Sequence, residues 1–205
     1  MARNLRKFAT LAAYQAAELI KPAVSLIEAT DGVYFDQKEP PFGGLTVKYS
    51  IEDPTVEVSL FNGGGDSSSE SGGGGALPAT MIVDGVSETP INTWRFETAG
   101  EHIVQYTFED NIVPQGFLDS IPNVTTIEIG TDITRIDENA FNYAGVNISI
   151  EQIICYSVDT PYLSTGAFTN TMDCPIYVPA SAVDTYISST STGWSEYASR
   201  IEAIQ

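Results

Sequence analysis

The chain is poor in the residues that most often carry chemistry. It has one histidine, His102, and two cysteines, Cys155 and Cys174. General acid–base work by histidine needs a positioned partner, and none is recognisable around His102, which sits inside an alternating strand pattern. The two cysteines are too few and too separated for a zinc site of the usual spacing. Neighbouring strands lie about 4.8 Å apart, which leaves a close approach of the pair open; buried thiols are the expected state in a reducing cytoplasm. Neither Gly-x-Ser-x-Gly nor His-Glu-x-x-His occurs, so the motif-bearing serine hydrolases and metalloproteases lack support. Basic residues are also scarce: 9 against 27 acidic ones, a formal net charge of −18. Such a surface repels phosphate backbones and anionic lipid, so neither nucleic acid nor membrane is expected as a partner. No stretch is long and apolar enough to span a bilayer. No cofactor and no metal is expected, and the protein reads as a non-enzyme.

Three acidic clusters invite a search for calcium: Asp31, Asp36 and Glu39; Glu109 and Asp110; Asp132, Asp137 and Glu138. None follows the EF-hand loop pattern, and solvated turn residues are the better reading because Asp is a favoured turn former. The run NGGGDSSSESGGGG over 62–75 lacks the Lys of a phosphate-binding loop, and Asp66 and Glu70 oppose an anion. Its Gly/Ser composition reads as a flexible hairpin tip.

What the chain does have is a hydrophobic fraction of 42% over 205 residues, enough for one or two small domains with real cores. It also has a recurrence. Val124-Thr-Thr-Ile127-Glu-Ile129 is followed by Ile133-Thr-Arg-Ile136 and then Asn139-Ala140-Phe141. Upstream, Val104–Phe108 and Ile112-Val113-Pro114 lead to Gly116-Phe117; downstream, Ile148–Ile150 and Ile153–Tyr156 lead to Gly166-Ala167-Phe168. Aromatic anchors at Phe117, Phe141 and Phe168 are spaced by 24 and 27 residues, within the roughly 20–29 residue period of leucine-rich repeats. One such unit cannot bury its own apolar face; stacked units make a continuous core. The expected repeat core comprises Phe117, Ile127, Ile129, Ile133, Ile136, Phe141, Phe168, Tyr177 and Trp194.

The stretch VTTIEIGTDITRIDENAF resembles the BspA-type (treponemal) leucine-rich repeat, and the tail GAFTNTMDCPIYVPASAVDTYISSTSTGWSEYASRIEAIQ resembles that family's common C-terminal cap. The resemblance covers about residues 103–205. It implies a binding scaffold, and its motif contains no catalytic residues to carry over. Within the cap (179–205), apolar spacing predicts a helix from Pro179 to Ile187 and a second over Trp194–Ile204, with Gly193 between them. Trp194, Tyr197 and Ile201 would then cover the last open strand, which would otherwise invite aggregation.

The first half has a different texture. Over 1–38, Thr10–Leu19 reads as a short helix ended by Pro22, and Val24–Ile27 and Val33–Phe35 as a hairpin around Thr30-Asp31-Gly32. The pattern MARNLRKFAT…YQAAELIKPAVSLIEATDGVYFD resembles the N-terminal segments of structural or fibre-like proteins of Bacteroides phages, crAss-like ones included. That resemblance implies attachment to a virion through Leu5, Phe8, Tyr14, Leu19, Val24, Leu26, Tyr34 and Phe35. The basic start is not followed by a continuous apolar run or a cleavage site, so no export signal is read and assembly in the host cytoplasm is expected. Over 39–102, short alternating strands separated by Pro, Gly and Asp predict a small β-sandwich of Ig-like type. Its last strand, Glu101–Phe108, is expected to double as the first strand of the repeat stack.

The fold expected is therefore mainly β: a small Ig-like sandwich fused to a short leucine-rich-repeat solenoid with a helical C-terminal cap. The function expected is that of a virion structural protein, a capsid decoration or head-fibre component that anchors by its N-terminus and displays the repeats. A bacterial cell-surface BspA-like adhesin is the alternative. Expected partners are other virion proteins, further copies of the chain in a homo-oligomer, and a host-surface or mucus glycan.

Overall fold

A computed structural model describes the backbone of residues 6–8, 26–29 and 34–36, and residues 42–63, 77–143, 150–171 and 174–205 in full. The chain divides into two compact units, Met1–Pro41 and Phe42–Gln205.

In the first unit, β1 (Arg6–Phe8), β2 (Leu26–Ala29) and β3 (Tyr34–Asp36) form a three-stranded sheet in that order. Strands β2 and β3 pair antiparallel with Ile27 opposite Phe35, which is the pairing the hairpin pattern predicts. Strand β1 pairs parallel to β2, a long-range pairing that no local pattern in the sequence specifies. The expected helix at Thr10–Leu19 and the positions Leu5, Tyr14, Leu19 and Val24 lie outside the described residues, as does the Thr30-Asp31-Gly32 turn.

The second unit is built on β4 (Leu45–Ile51), β5 (Val58–Ser59), β6 (Thr80–Val83), β7 (Val86–Glu88), β8 (Thr93–Trp94), β9 (Gly100–Thr107), β10 (Ile112–Val113) and β11 (Val124–Ile129). It continues through β12 (Arg135–Ile136), β13 (Gln152–Cys155), β14 (Tyr162–Leu163), β15 (Ile176–Val178), helix α1 (Val183–Ser188), a 3₁₀ helix (Trp194–Arg200) and β16 (Ile201–Ala203). The molecule is mainly β, as composition and alternation predict. Among the described residues, no helix is long and apolar enough to cross a membrane.

Eight strands share one sheet in the order β16-β15-β13-β11-β4-β9-β6-β7. Strands β11, β13, β15 and β16 pair in parallel. Strand β4 then pairs antiparallel to both β11 and β9. The junction is therefore made by β4 and not by β9, the strand that sequence order suggests. The cause is a close backbone approach: Gly130 N–H donates to the Gly44 carbonyl at 2.7 Å and Asp132 N–H to the Gly43 carbonyl at 2.9 Å. A Cβ at Gly130 would overlap the carbonyl oxygens of Phe42 and Gly43, so only glycine lets the start of β4 lie against the end of β11.

A second ladder runs β10-β12-β14, all parallel, with Ile112 opposite Arg135 and Arg135 opposite Tyr162. Those pairings are 23 and 27 residues apart. The turns that follow obey the same offsets: Leu118 N–H donates to the Ala140 carbonyl at 2.7 Å, and Phe141 N–H to the Ala167 carbonyl at 2.9 Å. Leu118, Phe141 and Phe168 are thus equivalent, and the spacing that takes Phe117 as first anchor is off by one residue. Phe117 instead stacks on Phe61 at 5.1 Å and meets Tyr106 and Phe108 edge-on. Gly116, Asn139 and Gly166 share one turn position, all with positive φ, a conformation that glycine and asparagine tolerate best.

The core is continuous from Leu45 to Ile201. Phe117, Ile127, Ile129, Ile133, Ile136, Phe141, Phe168 and Trp194 are all buried in it. Tyr177 is not: Ile176 and Val178 point into the core while Tyr177, between them, lies half-buried on the other face of the sheet, as the two-residue strand period requires. The second predicted C-terminal helix ends at Arg200, because Ile201–Ala203 pairs with Ile176–Val178 as a parallel strand. The main-chain bonds of that edge outweigh the weak helical preference of so short an apolar stripe.

Candidate functional site

Strands show their two faces in alternation, so each two-residue strand of the β10-β12-β14 ladder buries one residue and offers the other. Val113, Ile136 and Leu163 go inward. Arg135 and Tyr162 go outward, opposite each other on neighbouring strands. The chain then turns, and the next outward positions are Gln115 after β10, Asp137 and Glu138 after β12, and Ser164 and Thr165 after β14. These seven side chains line an open groove of about 310 Å³. By the 23- and 27-residue offsets, Asp137 and Ser164 are equivalent positions, as are Gln115, Glu138 and Thr165. The groove thus crosses three successive steps of one ladder.

Its internal geometry is specific. The Arg135 Nε–H donates to Asp137 Oδ1 at 2.5 Å, and the guanidinium carbon stands 5.3 Å from the Tyr162 ring centroid. Arg135 therefore bridges a carboxylate and an aromatic face. Both partners are partly exposed, so the ion pair itself is worth about 0–1 kcal/mol and serves orientation more than stability. Tyr162 remains 47% exposed. Main-chain bonds fix its position: Tyr162 N–H donates to the Thr134 carbonyl and Ser164 N–H to the Ile136 carbonyl, each at 2.9 Å.

The other chemistry-bearing residues are committed elsewhere. His102 is 7% exposed. Its Nδ1 meets Asp84 Oδ2 at 2.7 Å, its Nε2 meets the Thr98 carbonyl at 2.8 Å, and its ring stacks on Phe96 at 4.2 Å. Asp84 also accepts the Ile103 N–H at 2.9 Å. Asp84-Gly85, both with positive φ, form the tight turn between β6 and β7, so the histidine ties that turn to β9.

Cys155 and Cys174 are both buried thiols. Cys155 Sγ lies 3.1 Å from Tyr186 Oη, which donates to the Ser157 carbonyl at 2.9 Å. Burial pushes the Cys155 thiol up to about 11. Cys174 accepts from Arg200, whose guanidinium also reaches the Cys174 carbonyl and Thr171 Oγ1. On the outer face of the large sheet, Lys48 and Glu128 form an ion pair at 3.4 Å, and Tyr156 Oη donates to Glu128 at 2.9 Å. Burial and the adjacent carboxylate push the Tyr156 phenol up. Among the described residues, no three His, Cys, Asp or Glu side chains are gathered to hold a metal ion.

Of the acidic residues singled out in sequence, Asp137 and Glu138 reach the groove, while Asp132 lies at the Gly43 approach. The attachment positions Phe8, Leu26, Tyr34 and Phe35 fall on the backbone of β1, β2 and β3. Arg135 and Tyr162, the centre of the groove, were not singled out at all. The signal that finds them is the register: once Leu118 replaces Phe117 as the first anchor, Ile112, Arg135 and Tyr162 align as outward residues. No protein-family model matches the chain, and no curated protein matches it in sequence.

Proposed function

We propose that the protein is a non-catalytic structural component of a phage virion, a capsid decoration or head-fibre protein that attaches through residues 1–38 and displays the rest outward. In this reading 103–205 is a short BspA-type leucine-rich-repeat solenoid capped from residue 179, and 39–102 is a small Ig-like module. The observation that carries it is the coincidence of two parallel ladders, β10-β12-β14 and β11-β13-β15-β16, whose partners recur every 23–27 residues. Recurring parallel pairing at that period is what stacked repeats produce. The two-layer module is supported by contacts beneath β4 and β9: Tyr49 Oη donates to the Leu60 carbonyl at 2.6 Å, Phe61 packs edge-on to Tyr106, and Phe96 lies against Tyr49. The separate N-terminal unit, Met1–Pro41, suits an attachment segment.

Mass spectrometry on density-purified particles, in parallel with the host cell-surface fraction, tests the proposal. Recovery in particles at a fixed ratio to the capsid protein, resisting a salt wash, is the expected result. Absence from particles with enrichment on cells overturns it in favour of the cell-surface adhesin.

A further inference from the structure

We infer that the three-step groove beside β10, β12 and β14 is a binding site for a neutral, linear carbohydrate chain. The inference deepens the display reading by naming what the displayed domain takes hold of, but it stands on the groove's own geometry.

The lining decides the class of ligand. Its side chains are almost wholly polar, so a lipid or an apolar helix finds no complementary surface. Arg135 is neutralised by Asp137, which leaves Glu138 as an uncompensated charge in a chain of net charge −18. That field repels phosphates, sulfated chains and polyuronates. Arg135 already occupies one face of the Tyr162 ring and pairs with Asp137, so a cationic peptide finds only Glu138, a single exposed carboxylate whose ion pair contributes little. What remains is neutral hydrogen-bonding capacity from Gln115, Ser164 and Thr165, together with the acceptor Glu138 and a ring that is 47% exposed. Hydroxyl-rich ligands match this set: alternating donors and acceptors meet hydroxyls, and the apolar C–H face of a sugar ring covers an aromatic ring as other apolar groups do.

The shape decides the form of ligand. The groove is an open trough, not an enclosed chamber, and its polar positions repeat at equivalent sites on three neighbouring strands. Strand steps of about 4.8 Å are close to the length of one pyranose residue in an extended chain, so successive sugars can meet successive steps. The backbone that presents these groups is held by ladder hydrogen bonds on either side, so little ordering is needed on binding.

The test uses the purified full chain in affinity electrophoresis through gels containing a dextran, a mannan or a galactan, with heparin and polygalacturonate as anionic gels and oligolysine titration as the cationic control. Retardation is expected in at least one neutral gel and in neither anionic gel. Tyr162→Ala is expected to weaken it about tenfold, while Tyr162→Phe, which keeps the ring, stays within about twofold of the parent. Both variants should keep the parent circular-dichroism spectrum, since this ring is half exposed. Glu138→Gln separates the ligand classes: it keeps a side-chain oxygen acceptor in the groove but removes the charge, so it is expected to weaken oligolysine binding more than neutral-glycan retardation. No retardation in any neutral gel, retardation unchanged in Tyr162→Ala, or binding of oligolysine alone overturns the inference. Because the readout is the isolated chain, a failure here is distinct from a failure to find the protein in particles.

Discussion

Single side chains and single missing side chains set the tightest constraints. Gly130 is not among the positive-φ glycines yet has no room for a Cβ, because the carbonyls of Phe42 and Gly43 stand in its place. Gly130→Ala should lower stability by about 1–3 kcal/mol, the usual cost of overpacking a site that cannot relax, read as a drop in the denaturant midpoint. Gly193 has φ of +82° and faces the Leu163 carbonyl, so it is constrained twice over. The His102–Asp84 contact is structural by its geometry. Asp84→Ala removes the acceptor for both His102 and the Ile103 N–H and should cost about 1–3 kcal/mol, since it leaves a buried ring nitrogen without its partner. A midpoint unchanged within error would show that the turn holds without that carboxylate. Cys155 should resist thiol reagents in the native state at neutral pH, because it is buried and its thiol is pushed up to about 11; titration with a chromogenic disulfide before and after denaturation checks this.

At the scale of elements, a chain of packed aromatics explains why short strands suffice. Phe141 stacks on Phe168 at 5.4 Å, and Phe168 meets Trp194, which in turn meets Tyr186 and donates from Nε1 to the Pro161 carbonyl at 2.7 Å. Phe168 touches both the preceding step and the C-terminal helices, so Phe168→Ala should cost about 3–5 kcal/mol. Leu118→Ala, at the equivalent position one step earlier, should cost about 2–5 kcal/mol. Equal effects from Phe117→Ala and Leu118→Ala would be expected as well, since both are buried, so register is better tested by distance restraints between Leu118 and Phe141. Strand β16 completes β15 with a parallel pairing, and Ile204 N–H donates to the Val178 carbonyl at 2.8 Å. A chain ending at Arg200 would leave β15 as an open edge, and concentration-dependent association on size-exclusion chromatography is expected.

For the molecule as a whole, the eight-stranded sheet joins both halves of the second unit through β4, with seven paired positions on β9 and five on β11. Residues 42–205 should therefore melt in one cooperative calorimetric transition; two resolved transitions would show that the sheet does not couple them. Alkaline stability follows from the buried acids. Tyr49, Tyr106 and Tyr143 are raised by burial above the usual phenol value of 10.0, and Cys155 from 9.0 to about 11. The folded state then holds these protons more tightly than the unfolded chain. Their contribution is fully present below pH 9 and is lost as pH rises, the cysteine between 9 and about 11 and the phenols from 10 upward. Each group removes up to about 1.4 kcal/mol per pH unit in its window, so the melting temperature should fall steeply above pH 10, where the first of the phenols begins to contribute.

Much of this is legible in the sequence, for reasons of periodicity. Alternation at Leu45–Ile51 and Glu101–Phe108 predicts half-buried strands, and both are found, paired to each other over seven positions. The buried identities of Ile127, Ile129, Ile136, Phe141 and Phe168 follow from the recurrence alone. Tyr177 is misplaced because all three residues of Ile176–Val178 are apolar, so period two leaves open which of them face inward, and Ile201–Ala203 because the same apolar residues fit a helix or an edge strand. Those outcomes depend on which neighbour supplies hydrogen bonds. The groove was illegible for a related reason: Arg135 and Tyr162 are 27 residues apart, and only the pairing of β12 with β14 sets them side by side. Sequence by itself determined a mainly β chain, its acidity and its inward residues, because burial and charge are properties of residue type and spacing. Tertiary structure alone decided that β4 joins the two ladders, that Leu118 is the first anchor, and that seven dispersed polar side chains share one groove, because register is a choice among nearly equal local patterns that only long-range pairing resolves.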